Sequence, residues 1–239
     1  MNGNRKSEAI ILGAFLCAGL IVLGYLISSS IIRIKELNRS VSVKGLSERE
    51  VTANVAIWPI KFTETDNDLN NLYSVVENNT LLVVEFLKKN GFGNDEISIA
   101  APAIIDRQAQ GYMDSTKITF RYAASSTITV YSNKVDLVRE TMKRLVELGK
   151  QGIAIAGQDY EKKTEFLFTR LNDIKPEMVE EATKKAREVA EKFAKDSNSG
   201  LGKIKTARQG QFSITDRDSN TPYIKKVRVV STLEYYLTD

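Results

Sequence analysis

Residues 175–204 read KPEMVEEATKKAREVAEKFAKDSNSGLGKI. Pro176 suits a first helical turn, and Glu177, Glu180 and Glu181 put acid at the positive end of a helix dipole. Ala182, Ala186, Ala190 and Ala194 recur every fourth residue, beside Met178, Val179, Val189 and Phe193. The spacing predicts a helix over 176–198, and its stripe of small residues lets it lie close against a sheet. Lys184, Lys185, Arg187, Glu188, Glu191 and Lys192 form the solvated face, where the neighbouring carboxylates Glu180 and Glu181 also read as surface residues. Gly200 and Gly202 follow this helix, as Gly91 and Gly93 follow an earlier one. Glycines in that position read as C-caps rather than phosphate cradles. Beyond them, 203–214 reads as a strand, 215–222 as a polar loop and 225–237 as the last strand. Val227, Val229, Leu233, Tyr235 and Leu237 share one face of that strand.

Upstream, 41–62 reads VSVKGLSEREVTANVAIWPIKF. Val51, Ala53, Val55 and Ile57 alternate with other residues at the period of a half-buried strand. Gly45 suggests a bulge or a close approach of another backbone, and Pro59 an edge or a bulge. Trp58 reads as a core or interface aromatic. A helix is expected over 66–91, a strand over 97–106, a polar loop over 106–116 and a strand over 118–131. A second helix is expected over 134–149, striped by Val135, Val138, Met142, Leu145 and Val146, then a strand region over 153–171. Strand, helix, strand, strand thus runs through 51–131 and again through 153–237. The expected fold is α+β, with repeated β-α-β-β halves forming a helix-covered antiparallel or mixed sheet.

From Ala9 to Ile32 the chain is AIILGAFLCAGLIVLGYLISSSII, without a charge. As a helix it would be about 36 Å long, against a hydrocarbon core of about 30 Å. A cleaved signal peptide is the competing reading, with an apolar region of about 7–15 residues before a small-residue site. Residues 28–30 imitate such a site, but apolar Ile31 and Ile32 follow, so an uncleaved transmembrane helix is expected. Phe15 and Leu16 are too bulky for a lipoprotein site at Cys17. Arg5 and Lys6 favour an inside N-terminus, while Arg33, Lys35, Arg39 and Lys44 pull the other way, and local charge leaves the orientation open. The expected layout is a tail over 1–8, an anchor over 9–32, a linker over 33–40 and one α+β domain over 41–239.

The chain has no histidine and one cysteine, Cys17, inside the apolar stretch. His-assisted catalysis, His-ligated metal, disulfides and Cys metal clusters are thereby excluded. Lys and Arg number 34 against 30 Asp and Glu, interspersed along the chain. That pattern reads as a solvated surface rather than a nucleic-acid groove. Asp66, Asp68, Asn70 and Glu77 occupy positions 1, 3, 5 and 12 of a calcium-loop pattern. Asn71 stands where its glycine belongs, and Leu69, Leu72 and Val76 run a helix through the loop, so an N-cap at Asp66 or Asp68 explains the same residues. Asp216, Asp218 and Asn220 begin a similar pattern that Val227 fails to close, and they read as a turn. No catalytic, cofactor-binding or metal residue is expected, and the chain is not expected to be an enzyme.

Three segments together resemble the SIMPL-domain family, which includes bacterial oxidative-stress defence proteins and a periplasmic immunogenic protein: 41–62, 175–204 and the closing VRVVSTLEYYL of 227–237. The resemblance implies an exported α+β domain of the bacterial envelope, and some family members resemble ring-forming oligomers. It brings no active site with it. With the retained apolar helix, it implies a single-pass inner-membrane protein whose C-terminal domain lies in the periplasm; a cleaved, soluble periplasmic product is the alternative. The expected role is a homo-oligomeric assembly or scaffold linked to stress defence, joined through sheet edges and the loops 106–116 and 215–222. A binding module for a small molecule, peptide or polymer would instead show a deep apolar pocket with a few polar groups. An enzyme using carboxylates or lysine would show a buried, close pair of titratable residues.

Overall fold

The computed structural model describes residues 3–37, 39–109, 119–156 and 163–238, with side chains from 13–30 and from 39 onward. The first element is α1 (Gly3–Leu37), and its window Gly13–Ser30 has mean hydropathy 1.8 with every side chain exposed. It is long and apolar enough to cross a membrane, as an anchor or a signal sequence would be. Residues 33–37, expected as linker, continue the helix. Beyond α1 the chain is α+β, and it divides into two compact units.

The first unit takes Met1–Glu48, Lys175–Ser213 and Arg228–Asp239. Its sheet has β9 (Ile224–Thr238) in the middle, with β1 (Ser40–Thr52) on one side and β7 (Gly200–Gln209) on the other; β8 (Ser213–Asp216) also pairs with β9. β7 and β9 run antiparallel with Ile204 opposite Tyr235 and Ala207 opposite Leu233. One face of the sheet lies under α5 (Leu171–Asp196), whose Ala182, Ala186, Ala190 and Ala194 are all buried. Val43, Leu233 and Tyr235 pack against Ala186 and Ala190. The helix is this close because Gly45 has no side chain: a Cβ there would lie 2.5 Å from Ala186 N and 2.9 Å from Ala186 Cβ. Of the two readings of Gly45, close approach is the one realised.

The helix corrects two expectations. It begins at Leu171, so Pro176 lies inside it rather than at its first position. It ends at Asp196; Asn198 follows with a left-handed φ of 51°, and Ser199 N–H donates to Ala194 O at 2.8 Å. Asn198 therefore makes the C-cap, as asparagine can. Gly200 and Gly202 are strand residues beside Thr238 and Tyr236, where a Cβ on Gly202 would lie 2.9 Å from Tyr236 O. Gly91 does cap its helix as expected: φ is +95°, and Phe92 N–H reaches back to Leu87 O at 3.2 Å.

The second unit takes Arg49–Ile174 and Ile214–Val227. Its antiparallel sheet is built on β2 (Val55–Asp66) and β5 (Tyr122–Ser132), paired from Ala56 opposite Ser132 to Asp66 opposite Tyr122. β3 (Ile97–Ile99) and β4 (Ala103–Asp106) line the far side of β5, and β6 (Glu165–Leu167) lines β2. The strand expected over 97–106 is split because Ile99 faces Ile128 while Ala103 faces Ser125, four steps against three. The extra residue falls in the stretch holding Pro102, which cannot donate to the ladder. Over the sheet lies α2 (Leu69–Lys89), whose Leu72, Val83 and Leu87 join Ile60, Phe62 and Ile128 in the core. Its N-cap is Asp68, accepting from Asn70 N–H at 2.7 Å and Asn71 N–H at 3.0 Å. Asp68→Ala should cost about 1 kcal/mol in urea unfolding, with the m-value unchanged.

The helix expected over 134–149 is two helices, α3 (Val135–Lys143) and α4 (Val146–Lys150), broken at Arg144 and Leu145. Of the strand region 153–171, residues 157–162 lie outside the described residues; among the rest, Ile155 makes a single bridge to Phe62, and Glu165–Leu167 form β6. Both belong to the β2 edge. The described residues of 153–171 therefore pair with β2 rather than β9, and the strand beside β9 opposite β7 is β1, so the repeat expected over 51–131 and 153–237 is not confirmed. Pro59 is tolerated on β2 because Lys61, two residues on, turns its carbonyl outward to Ala156 N–H at 2.8 Å. The missing donor of Pro59 shares that side, in the gap between β6 and Ile155.

Candidate functional site

Two places merit weighing: the open sheet of the first unit and a hollow in the second. The face of β1, β9 and β7 away from α5 is stitched by Glu234. Its carboxylate accepts from Ser40 Oγ at 2.6 Å, Lys205 Nζ at 3.1 Å and Thr206 Oγ1 at 3.2 Å, one partner strand on each side. These bonds, that from Ser40 first, hold its pKa below the usual carboxylate range. Lys205 also lies 5.6 Å from the Tyr236 ring. Among the described residues the sheet ends in β1 on one side and β7 on the other, so each presents an outer edge. An outer edge is a template for another strand.

The hollow lies beside the break between α3 and α4. Met142, Leu145, Val146 and Gly149 form one wall and Trp58, Ile60, Ile153 and Ile155 the other, around about 500 Å³. Lys61 and Thr164 bring polar atoms to an otherwise apolar lining. Trp58 itself is 2% exposed and belongs to the core, so the core reading of this residue holds. The sequence did not reveal the hollow. An apolar stripe from Val135 to Val146 reads as one continuous helix, and nothing in its periodicity marks a break.

The acidic patterns are structural. Asp66 Oδ1 accepts from Asp68 N–H at 2.8 Å and Asp66 Oδ2 from the Asn71 side-chain amide at 2.6 Å, while Asp68 caps α2. These oxygens are occupied by the turn that the calcium reading would have needed open. Among the described residues no group of three or more His, Cys, Asp or Glu is arranged to hold a metal. Asp218 closes its own loop, accepting from Asn220 N–H at 2.8 Å, Thr221 N–H at 2.7 Å and the Thr221 hydroxyl, while Asp216 pairs with Lys225. Glu180 is exposed, and Glu181 bonds Ser47 Oγ at 2.8 Å and Lys185 at 2.6 Å. At the base of the 106–116 loop, Arg121 clamps Asp106 at 2.9 Å; residues 110–118 lie outside the described residues.

Among the described residues, every carboxyl displaced from its ordinary pKa is displaced downward. None of these is poised as an acid near neutral pH. Glu96 ties three segments together. Burial pushes it up, but the Gly93 N–H at 2.9 Å, Lys134 at 2.8 Å and the Ser132 hydroxyl at 2.6 Å outweigh burial and bring it to about 2. A carboxylate depressed on folding adds stability above its unfolded pKa and loses it as pH falls toward the folded one. The Glu96 share is thus complete above pH 4.5 and fades toward pH 2. Glu96→Gln should cost about 2 kcal/mol at pH 7 and much less at pH 2.5, read from urea midpoints.

These features define a class: a two-unit α+β protein with an apolar N-terminal helix and no metal-ligating or acid–base cluster among its described residues. The alanine-striped α5, Gly45 beneath it and the closing strand β9 are the elements that carry the family pattern. The chain belongs to the SIMPL family, whose model, described as a protein of unknown function (DUF541), matches residues 41–231. The match starts in β1, after α1, and reaches into β9. No curated protein matches the chain.

Proposed function

We propose that this SIMPL protein is a membrane-tethered assembly protein of the bacterial envelope, its α+β part on the periplasmic side and its copies joined through sheet edges. The observation that carries the reading is the first unit's sheet, which ends on both sides in a strand with an open outer edge. Tethering rests on α1, and the periplasmic side on the family resemblance. Stress defence comes with the same resemblance and names a phenotype rather than a chemistry. The test is made in native membranes. The full-length chain should stay in the membrane fraction after alkaline washing, and a short amine-reactive cross-linker should join it to itself. A soluble chain shortened at its N-terminus, or one that never cross-links, would end the proposal.

The hollow beside Trp58 favours a second reading, capture of a small apolar molecule. Its volume falls in the usual range for ligand sites. The uncharged dye N-phenyl-1-naphthylamine should brighten on binding, and Ala154→Phe, which fills the hollow, should abolish the signal. No brightening with the unaltered protein would remove this reading.

A further inference from the structure

The two outer edges of the first unit's sheet are not alike. β7 has register shifts between Leu201 and Ile204 and between Ile204 and Thr206, and it carries Lys203, Lys205 and Arg208. Irregularity and lysines are the usual means by which an edge is kept from pairing. β1 alternates without a break: Val43, Gly45 and Ser47 are buried while Ser42, Lys44, Leu46 and Glu48 are exposed. Arg39 turns its carbonyl to β9, where Leu237 N–H donates to it at 2.9 Å. The same phase carried along the strand turns the N–H and C=O of Ser42, Lys44, Leu46 and Glu48 to the outer edge.

Leu46 is 39% exposed, with a base two residues before it and an acid two residues after it. Base, apolar residue, acid is a sequence that complements itself when read in reverse. From this we propose that two copies of the chain join antiparallel along β1, about a two-fold axis at Leu46, into one continuous sheet. Leu46 then meets Leu46 of the second copy, and Lys44 of each copy meets Glu48 of the other. Directly opposed oppositely charged and apolar pairs favour a register, and like charges oppose it. Moving the axis by one residue would set Leu46 against Lys44 or Glu48. On the face under α5 the central pair is Gly45 with Ser47, so the added strand brings only small side chains there.

The inference rests on the assembly reading and names its contact. The test uses full-length protein in detergent with Cys17→Ser, so that an added cysteine is the only one. Leu46→Cys should form an intermolecular disulfide under mild oxidant, since opposed Cα atoms lie about 5.5 Å apart. Ser42→Cys should not, because its two copies would be roughly 27 Å apart along the strands. Separately, Lys44→Glu and Glu48→Lys should each weaken self-association at least tenfold by light scattering, and the double exchange should restore it. Unchanged helix content by circular dichroism shows that each variant is folded. If Leu46→Cys fails to cross-link while the unaltered protein is oligomeric, the contact is elsewhere and the assembly reading stands. If Ser42→Cys links as readily as Leu46→Cys, the register is wrong. A monomeric unaltered protein removes both.

Discussion

Gly45→Ala is expected to destabilise the protein by at least about 3 kcal/mol, and Gly45→Val by more. The added Cβ would fall well inside the van der Waals contact distance of the Ala182 carbonyl oxygen, 2.5 Å from Ala186 N and 2.9 Å from Ala186 Cβ. The first two are helix backbone atoms, so no rotamer change relieves the clash. α5 would have to lift from β1, which opens the packing of Val43 against Ala186 and Ala190 and of both alanines against Leu233 and Tyr235. A whole domain is stable by about 5–15 kcal/mol, so this one atom removes a large share. The measurement is the urea midpoint by far-ultraviolet circular dichroism. A loss under about 1 kcal/mol for Gly45→Ala would show that helix and strand are not held at this distance.

Trp58→Ala is expected to cost about 4 kcal/mol. Trp58 is 2% exposed on β2, opposite Val130, in the core of the second unit. It also borders the hollow, so the truncation enlarges a space that is already open. Trp58→Phe keeps much of the burial and should cost less than half as much. Circular dichroism reads both variants, since the chain has no other tryptophan. Equal costs for Phe and Ala would mean that the site tolerates the loss of its largest side chain.

Much of each local element was legible. The four alanines of α5 are buried as their spacing indicated, and Asp68 caps α2 in the way that undid the calcium pattern. Gly45 was readable as a bulge or a close approach, and the close approach to α5 is the one realised. What periodicity cannot say is which strand lies next to which, because it records a buried face and not a neighbour. For that reason 153–171 reads as part of a second half, although its described strand residues pair with β2. The cap at Asn198 was hidden for a different reason. Glycine two residues later is the commoner choice, and asparagine fills the same left-handed position. The break at Arg144 carries no proline or glycine, so neither it nor the hollow beside it had a sequence signal. The sheet edges had one: β1 is regular and self-complementary, β7 is glycine- and lysine-bearing, and both facts are written in the residues once their places in the sheet are known.

The assembly reading is tested most directly by the mass of the detergent-solubilised full-length protein, measured by light scattering with the detergent contribution subtracted. A protein mass at an integer multiple of 26.7 kDa, two or more, retained on dilution, is the expected result. A mass of 26.7 kDa at every concentration would contradict it.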